Sequence, residues 1–271
     1  MPYVRREITA GAVREVKKYW TGRVHPKQAT RAPHSGTTSE AQQKVNERKM
    51  EEKLRWILNA NFRYGDHHAV LHYYGKEVSM EQAEADKSAF LKLLRKWCRK
   101  NKAEWKYVAV TEKKSKMHHH LILPPVPVDV MQALWEEVVG GNCGNITIQP
   151  LDRRGNHAKL ASYLIKQSRS MAAYWAEQGK RHKRYSVAKG MIVPEPTYRI
   201  VSANRWTDAP KPRKGWILLK DDDGNTCRSG IHELTGWPWQ EYFELRVEQE
   251  EKQANRRRGT DDGKSVQRES S

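Results

Sequence analysis

Cysteine is scarce in this chain: Cys98, Cys143 and Cys227 are the only three, scattered without any short paired spacing. An odd, unpaired set excludes a disulfide framework and a cysteine-based zinc site, and Cys98, inside a helical apolar stripe, is expected to be a small core residue. Long apolar runs are also missing, since none approaches the ~18 residues of a membrane span. The opening residues, Met1-Pro2-Tyr3-Val4-Arg5-Arg6, lack the apolar stretch of a signal peptide, so a soluble, intracellular protein with no membrane partner is expected. A phosphate-binding loop is absent too. Residues 259–265, Gly-Thr-Asp-Asp-Gly-Lys-Ser, have one intervening residue too few and no strand before them, which excludes an ATPase or helicase domain. Acidic charge is in deficit, with 50 Lys and Arg against 32 Asp and Glu and a net charge of +18. Such a surface favours a polyanionic partner, because basic side chains release condensed counterions when they meet phosphates.

The 271 residues allow one or two domains. Residues 1–38 are basic and end in turn formers, so they read as a short helix followed by a mobile arm. Ser39 with Gln42 forms a capping box for a helix running to about residue 60. Residues 69–74 then read as a strand, and Ser79 with Gln82 caps a helix whose Phe90, Leu93, Leu94 and Trp97 follow helical spacing while Lys92, Arg95, Lys96 and Arg99 make a basic face. Residues 105–112 and 117–123 form a hairpin across a turn at 113–116. Asp129 with Gln132 caps the next helix, Gly140-Gly141 ends it, and residues 145–149 are a strand. The order is β-α-β-β-α-β, an α+β class with a ferredoxin-like antiparallel sheet covered by helices on one face and open on the other. Residues 156–168 are a further helix. Trp216 begins a late hairpin turning at Asp223-Gly224, and from about residue 246 the composition predicts a disordered charged tail. The expected organisation is a basic arm (1–38), a catalytic domain (39–170), an extension packed on it (171–245) and the tail (246–271).

The chemistry concentrates in two motifs. In Met117-His118-His119-His120-Leu121-Ile122-Leu123, strand alternation puts His118 and His120 on one face and His119 on the other. His119 therefore faces the helices, where leucine is expected to replace it without loss. Glu112, across the short turn on the paired strand, is the best third ligand, and two imidazoles with a carboxylate suit a divalent metal that also holds substrate oxygen. In Ala161-Ser162-Tyr163-Leu164-Ile165-Lys166, Tyr163 and Lys166 lie one helical turn apart, a phenol with a cation able to stabilise phenolate or phosphate charge. Each has a plainer reading by itself: an incidental histidine pair, a solvated turn carboxylate, a half-buried helix aromatic. Residues 181–184, including Arg181, Lys183 and Arg184, form a basic cluster expected to grip DNA phosphates.

Taken together, His118-His119-His120 followed by Tyr163-Leu164-Ile165-Lys166 resembles the HUH endonuclease superfamily, specifically the single-tyrosine rolling-circle replication initiator (Rep) proteins of bacterial plasmids and phages. The middle histidine replaces the family's usual hydrophobe. Glu112 matches the acidic ligand of related Rep proteins, whereas residues 70–74 match the family's first motif poorly and receive no catalytic role. The resemblance implies a nickase and strand transferase that cuts single-stranded DNA at a replication origin. It also implies Mg²⁺ or Mn²⁺ held by His118, His120 and Glu112, a covalent 5′-phosphotyrosine at Tyr163, Lys166 as its helper, and host helicase and polymerase as partners in the bacterial cytoplasm. Histidines before tyrosine is the Rep order; a relaxase or single-strand transposase is the alternative with the same chemistry. A non-catalytic single-strand nucleic-acid-binding module is the alternative of another class.

Overall fold

The computed structural model describes residues 3–21, 39–180 and 182–247. In chain order these form β1 (Tyr3–Ala10), β2 (Val13–Tyr19), α1 (Glu40–Asn61), β3 (His67–Tyr73), α2 (Met80–Lys100), β4 (Val108–Lys113), β5 (Met117–Leu123), α3 (Val128–Val139), β6 (Cys143–Pro150), α4 (Ala158–Gln167) and α5 (Arg169–Glu177). Then come β7 (Ser186–Val187), β8 (Thr197–Val201), β9 (Trp216–Leu218), β10 (Arg228–Ile231) and β11 (Pro238–Arg246). No described helix is long and apolar enough to cross a membrane. The chain divides into two compact units, a central one ending at Pro194 and one built from both ends.

The central unit carries an antiparallel sheet in the order β6-β3-β5-β4-β7. Its first four strands have the ferredoxin-like arrangement, each βαβ crossover skipping one strand, and β7 extends the edge. One face packs under α2 and α3, with Leu71, Leu121 and Leu123 against Phe90, Leu94, Met131 and Trp135. The other face is not left open along its whole length. Val108, Val110 and Ile122 are covered by Leu54, Ile57 and Leu58 of α1 and by Ala161, Leu164 and Ile165 of α4. The apolar stripe of α4 has nowhere else to be buried, so that helix lies across this face and carries its polar residues to the edge of the bare region.

Helix caps follow the sequence in part. Ser39 and Ser79 each accept the backbone N–H of the residue three on, but the Gln82 side chain turns to Asp86 at 2.7 Å instead of returning to its cap. The expected cap at Asp129 is replaced by Pro127 with no side-chain hydrogen bond. Gln132 instead reaches across to β6, where its Oε1 accepts the Ile146 N–H at 3.2 Å and its Nε2 donates to Gly144 O at 3.2 Å.

The described N-terminal residues form a hairpin where a short helix is expected. Gly11, at φ +60°, opens the two-residue turn joining β1 to β2. Val4 and Ile8 are four apart, a spacing that satisfies either period, and the turn together with strand partners elsewhere in the chain decides for β. Those partners are β8, beside β1, and β11, beside β2. The segment expected as one extension (171–245) thus divides, with its first part through Pro194 in the central unit and the rest in the terminal one. The terminal sheet buries charge: Arg14 bridges Glu244 at 2.6 Å and Glu7 at 2.5 Å. The expected late hairpin also differs, because β9 pairs with β11 and not with the strand after Gly224. The late part of the arm and the expected disordered tail beyond Val247 lie outside the described residues, while Arg246 ends β11.

Gly144 marks where β6 presses on the site-bearing strand. A Cβ there would stand 2.8 Å from His72 O, beside a bulge in the β3–β6 pairing. Gly144→Ala is expected to lower stability by about 1–3 kcal/mol, the range for overpacking, as a reduced chemical-denaturation midpoint.

Candidate active site

Pairing of β5 between β3 and β4 builds the site. His118 lies opposite Glu112 on β4 and His72 on β3, while His120 lies opposite Val70, so one sheet face gathers Glu112, His118, His120, His68 and His72. His120 is buried, with Nε2 3.0 Å from Glu112 Oε2 and Nδ1 3.1 Å from His68 Nε2. His118 packs edge-on against His72, ring centroids 4.7 Å apart, and His72 Nε2 lies 3.2 Å from Thr147 Oγ1. Burial and the neighbouring His120 push the His68 pKa down to about 4, and burial followed by His72 lowers that of His118. Both rings are therefore neutral at physiological pH, the form that ligates metals.

Tyr163 closes the cluster from above. It is 39% exposed, and its ring centroid is 5.4 Å from that of His120 and 6.2 Å from that of His68. Helix α4 holds it there by both ends: Asn59 Oδ1 accepts the His157 N–H at 2.9 Å, and Arg184 donates to Ile165 O at 2.7 Å and Ser168 Oγ at 2.5 Å. A cation on the last carbonyls of a helix also suits the helix dipole. The strand–helix–hairpin segment bearing the histidines and the helix bearing Tyr163 are the part of the chain that known proteins share. Residues 67–178 match the replication-associated protein ORF2/G2P family. The match supports a replication-initiator role of the Rep type. No significant match was found among curated proteins or among solved structures.

Within this matched segment the side chains near His120 are donor types that ligate divalent cations. His120 Nε2 and Glu112 Oε2 are hydrogen-bonded at 3.0 Å, so an ion held by both would take the place of that bond. His118 shares their sheet face. Among the described residues, no group of three or more His, Cys, Asp or Glu is gathered as a finished metal site.

The remaining sequence candidates fall in different places. Lys166 is exposed and lines a groove beside α1 with Lys44, Glu47, Arg48 and Glu51; the lysine sharing a cavity with Tyr163 is Lys159, one turn earlier. The Arg184 guanidinium is taken up by the end of α4 and by Glu47 at 2.9 Å, and its side chain is 14% exposed. That engagement makes it a structural clamp of the tyrosine helix. Lys183 is exposed, and Arg181 lies outside the described residues. Tyr174, the other tyrosine near the motif, donates to Glu81 at 2.7 Å on α2. Sequence reasoning missed His68 and His72; their alternation through Val70, matching that of His118 and His120, was the available signal.

His119 is the largest departure from expectation. It is fully buried under the helices, but in a polar network: Nε2 is 3.0 Å from Tyr73 Oη, and Nδ1 is 3.1 Å from Thr111 Oγ1. Tyr73 in turn donates to Asp86 at 3.0 Å, and burial, then Asp86, keep its phenol protonated by raising its pKa. Thr111 Oγ1 donates to Glu84 Oε1 at 2.6 Å. Burial keeps the His119 pKa well below its ordinary value, so the ring is neutral and carries a single N–H for the Tyr73 and Thr111 oxygens. Leucine satisfies neither partner. His119→Leu is expected to cost roughly 1–3 kcal/mol, the penalty for stranding a buried polar group, read by thermal or chemical denaturation of metal-free protein, with His119→Gln recovering part of it.

Proposed function

We propose that this chain is a rolling-circle replication initiator of the HUH, single-tyrosine type, which nicks and rejoins single-stranded DNA at an origin. The observation that carries the reading is the Tyr163 ring set against His120, itself 3.0 Å from Glu112, within a segment matching replication-associated proteins. Tyr163 Oη attacks the scissile phosphorus; the new Oη–P bond replaces the bond from phosphorus to the 3′ oxygen. The phenolic proton is lost and the departing 3′ oxygen takes one up. One phosphodiester is exchanged for another, so no external energy source is consumed and the reverse reaction rejoins the strand.

The chain's own groups position this exchange. His68 fixes the orientation of the His120 ring through the 3.1 Å contact at Nδ1, leaving Nε2 aimed at Glu112. Lys159, one turn before Tyr163 and lining the same cavity, supplies a cation for the phosphate, whereas Lys166 faces the groove beside α1. Glu112, His118 and His120 would hold a divalent ion, Mg²⁺ or Mn²⁺, which would supply Lewis-acid polarisation of the phosphate. The 5′ phosphate stays on Tyr163, and the free 3′ hydroxyl primes synthesis by host polymerase once host helicase has opened the duplex. The basic surface, Lys183 included, holds the strand.

Incubation with single-stranded origin DNA and Mn²⁺ is expected to give a denaturation-resistant protein–DNA band that Tyr163→Phe abolishes while non-covalent binding persists. A band surviving in that variant would overturn the assignment of Tyr163. Chelation by EDTA, or either His118→Ala or His120→Ala, is expected to lower adduct formation by at least 100-fold. Full activity under chelation would remove the metal from the reading.

The affinity for single strands is expected to fall with salt, log K changing by about −0.7 per neutralised phosphate for each tenfold rise in salt. Lys183→Ala should make that slope shallower, as measured by fluorescence anisotropy across a salt series. A slope unchanged by the substitution would place Lys183 outside the DNA path.

A further inference from the structure

Beside the nucleophile lies a cavity of about 390 Å³ between β3, β6 and α4, with Tyr163 as one wall. Its size is at the lower end of the range for small-molecule sites, ~300–1,000 Å³. Val70 and Leu160 give it apolar surface, and Thr147 and Gln149 give it polar groups. These last two alternate on β6, so their side chains share one sheet face. They pair directly with Val70 and His68 on β3, on the face that bears the histidines. Thr147 Oγ1 is oriented by His72 at 3.2 Å. Gln149 is exposed, and among the described residues its side chain has no hydrogen-bond partner. It therefore presents both a donor and an acceptor to whatever enters. Lys159 supplies the cavity's cation.

We infer that this cavity receives one unpaired base of the substrate strand, next to the phosphate that Tyr163 attacks, and that Gln149 and Thr147 select which base it is. The inference rests on the proposed nicking reaction for the placement of the strand. A phosphodiester brought to the Tyr163 hydroxyl carries its flanking base within one sugar's reach of the same ring. The phenol ring, Val70 and Leu160 match the faces of a base, because stacking and apolar contact are available to every base. The amide of Gln149 and the hydroxyl of Thr147 meet its edge, where donors and acceptors differ from base to base. Lys159 stands where the adjoining phosphate would pass. Rejection of a wrong base follows from leaving an amide group facing a like group in the cavity.

The test uses the full chain and a pool of single-stranded DNA randomised over a 12-nucleotide window, with bound molecules recovered and sequenced. The wild type is expected to enrich one base at a defined position. Gln149→Ala should reduce that preference by roughly 5- to 100-fold, the range for a good amide–base contact, while other positions keep theirs. Gln149→Glu, which offers acceptors alone, should move the preference towards a base with donors on its edge. Profiles of wild type and Gln149→Ala that superimpose, or a wild type with no base preference, would overturn the inference. The selection reads binding alone and is separable from adduct formation. An adduct with superimposable profiles defeats the cavity and spares the nicking reaction, and selective profiles without an adduct do the reverse.

Discussion

Strand β5 must pair on both sides at once, and that constraint organises the central unit. Held between β3 and β4, it sends alternate side chains to opposite faces, so three successive histidines are placed in two environments. His118 and His120 reach the face shared with Glu112, His68 and His72. His119 enters the helix-covered face, where Tyr73 and Thr111 receive it. A one-residue slip would exchange these environments and strand buried polar groups on both sides. The hydrogen bonds of His119 therefore select the register that gathers the other two histidines. A hydrophobe at that position would fill the space without choosing among registers by hydrogen bonding.

The second organising contact is the burial of α4. Its apolar residues Ala161, Leu164 and Ile165 pack on Val108, Val110 and Ile122, which covers the sheet up to the histidines and no further. Tyr163 is carried on the flank of that stripe, against bare strand. The same placement creates the cavity by Val70 and Gln149 and separates Lys159 from Lys166, one facing the sheet and the other the groove beside α1. Arg184 contributes from a distant point in sequence, closing the end of the tyrosine helix instead of standing free on the surface. A basic residue in a basic cluster thus serves two different purposes depending on whether a helix terminus lies within its reach.

Much of the central fold was legible because its segments agree with a single period. Strand β5 has the predicted bounds, and the β-α-β-β-α-β order yields the observed sheet, since each crossover has one favoured arrangement. The histidines, Glu112 and Tyr163 were legible as a constellation through their types and spacing. Capping was less so: Gln82 and Gln132 had closer partners in Asp86 and in β6 than their own helix ends. The N-terminal hairpin was illegible for another reason. Its strand partners, β8 and β11, lie about 190 and 220 residues away in sequence, beyond any local pattern.

The sequence by itself determined the alternation of His118, His119 and His120, the proximity of Tyr163 to cations on its helix, and the basic charge that favours a polyanion, because these depend on local geometry and composition. Tertiary structure alone decided that His68 and His72 join the site, that His119 is hydrogen-bonded, that Arg184 clamps α4, and that Lys159 shares the cavity of Tyr163. Each of these depends on which segments become neighbours, and neighbours are set by how apolar faces and strand edges find cover across the whole chain.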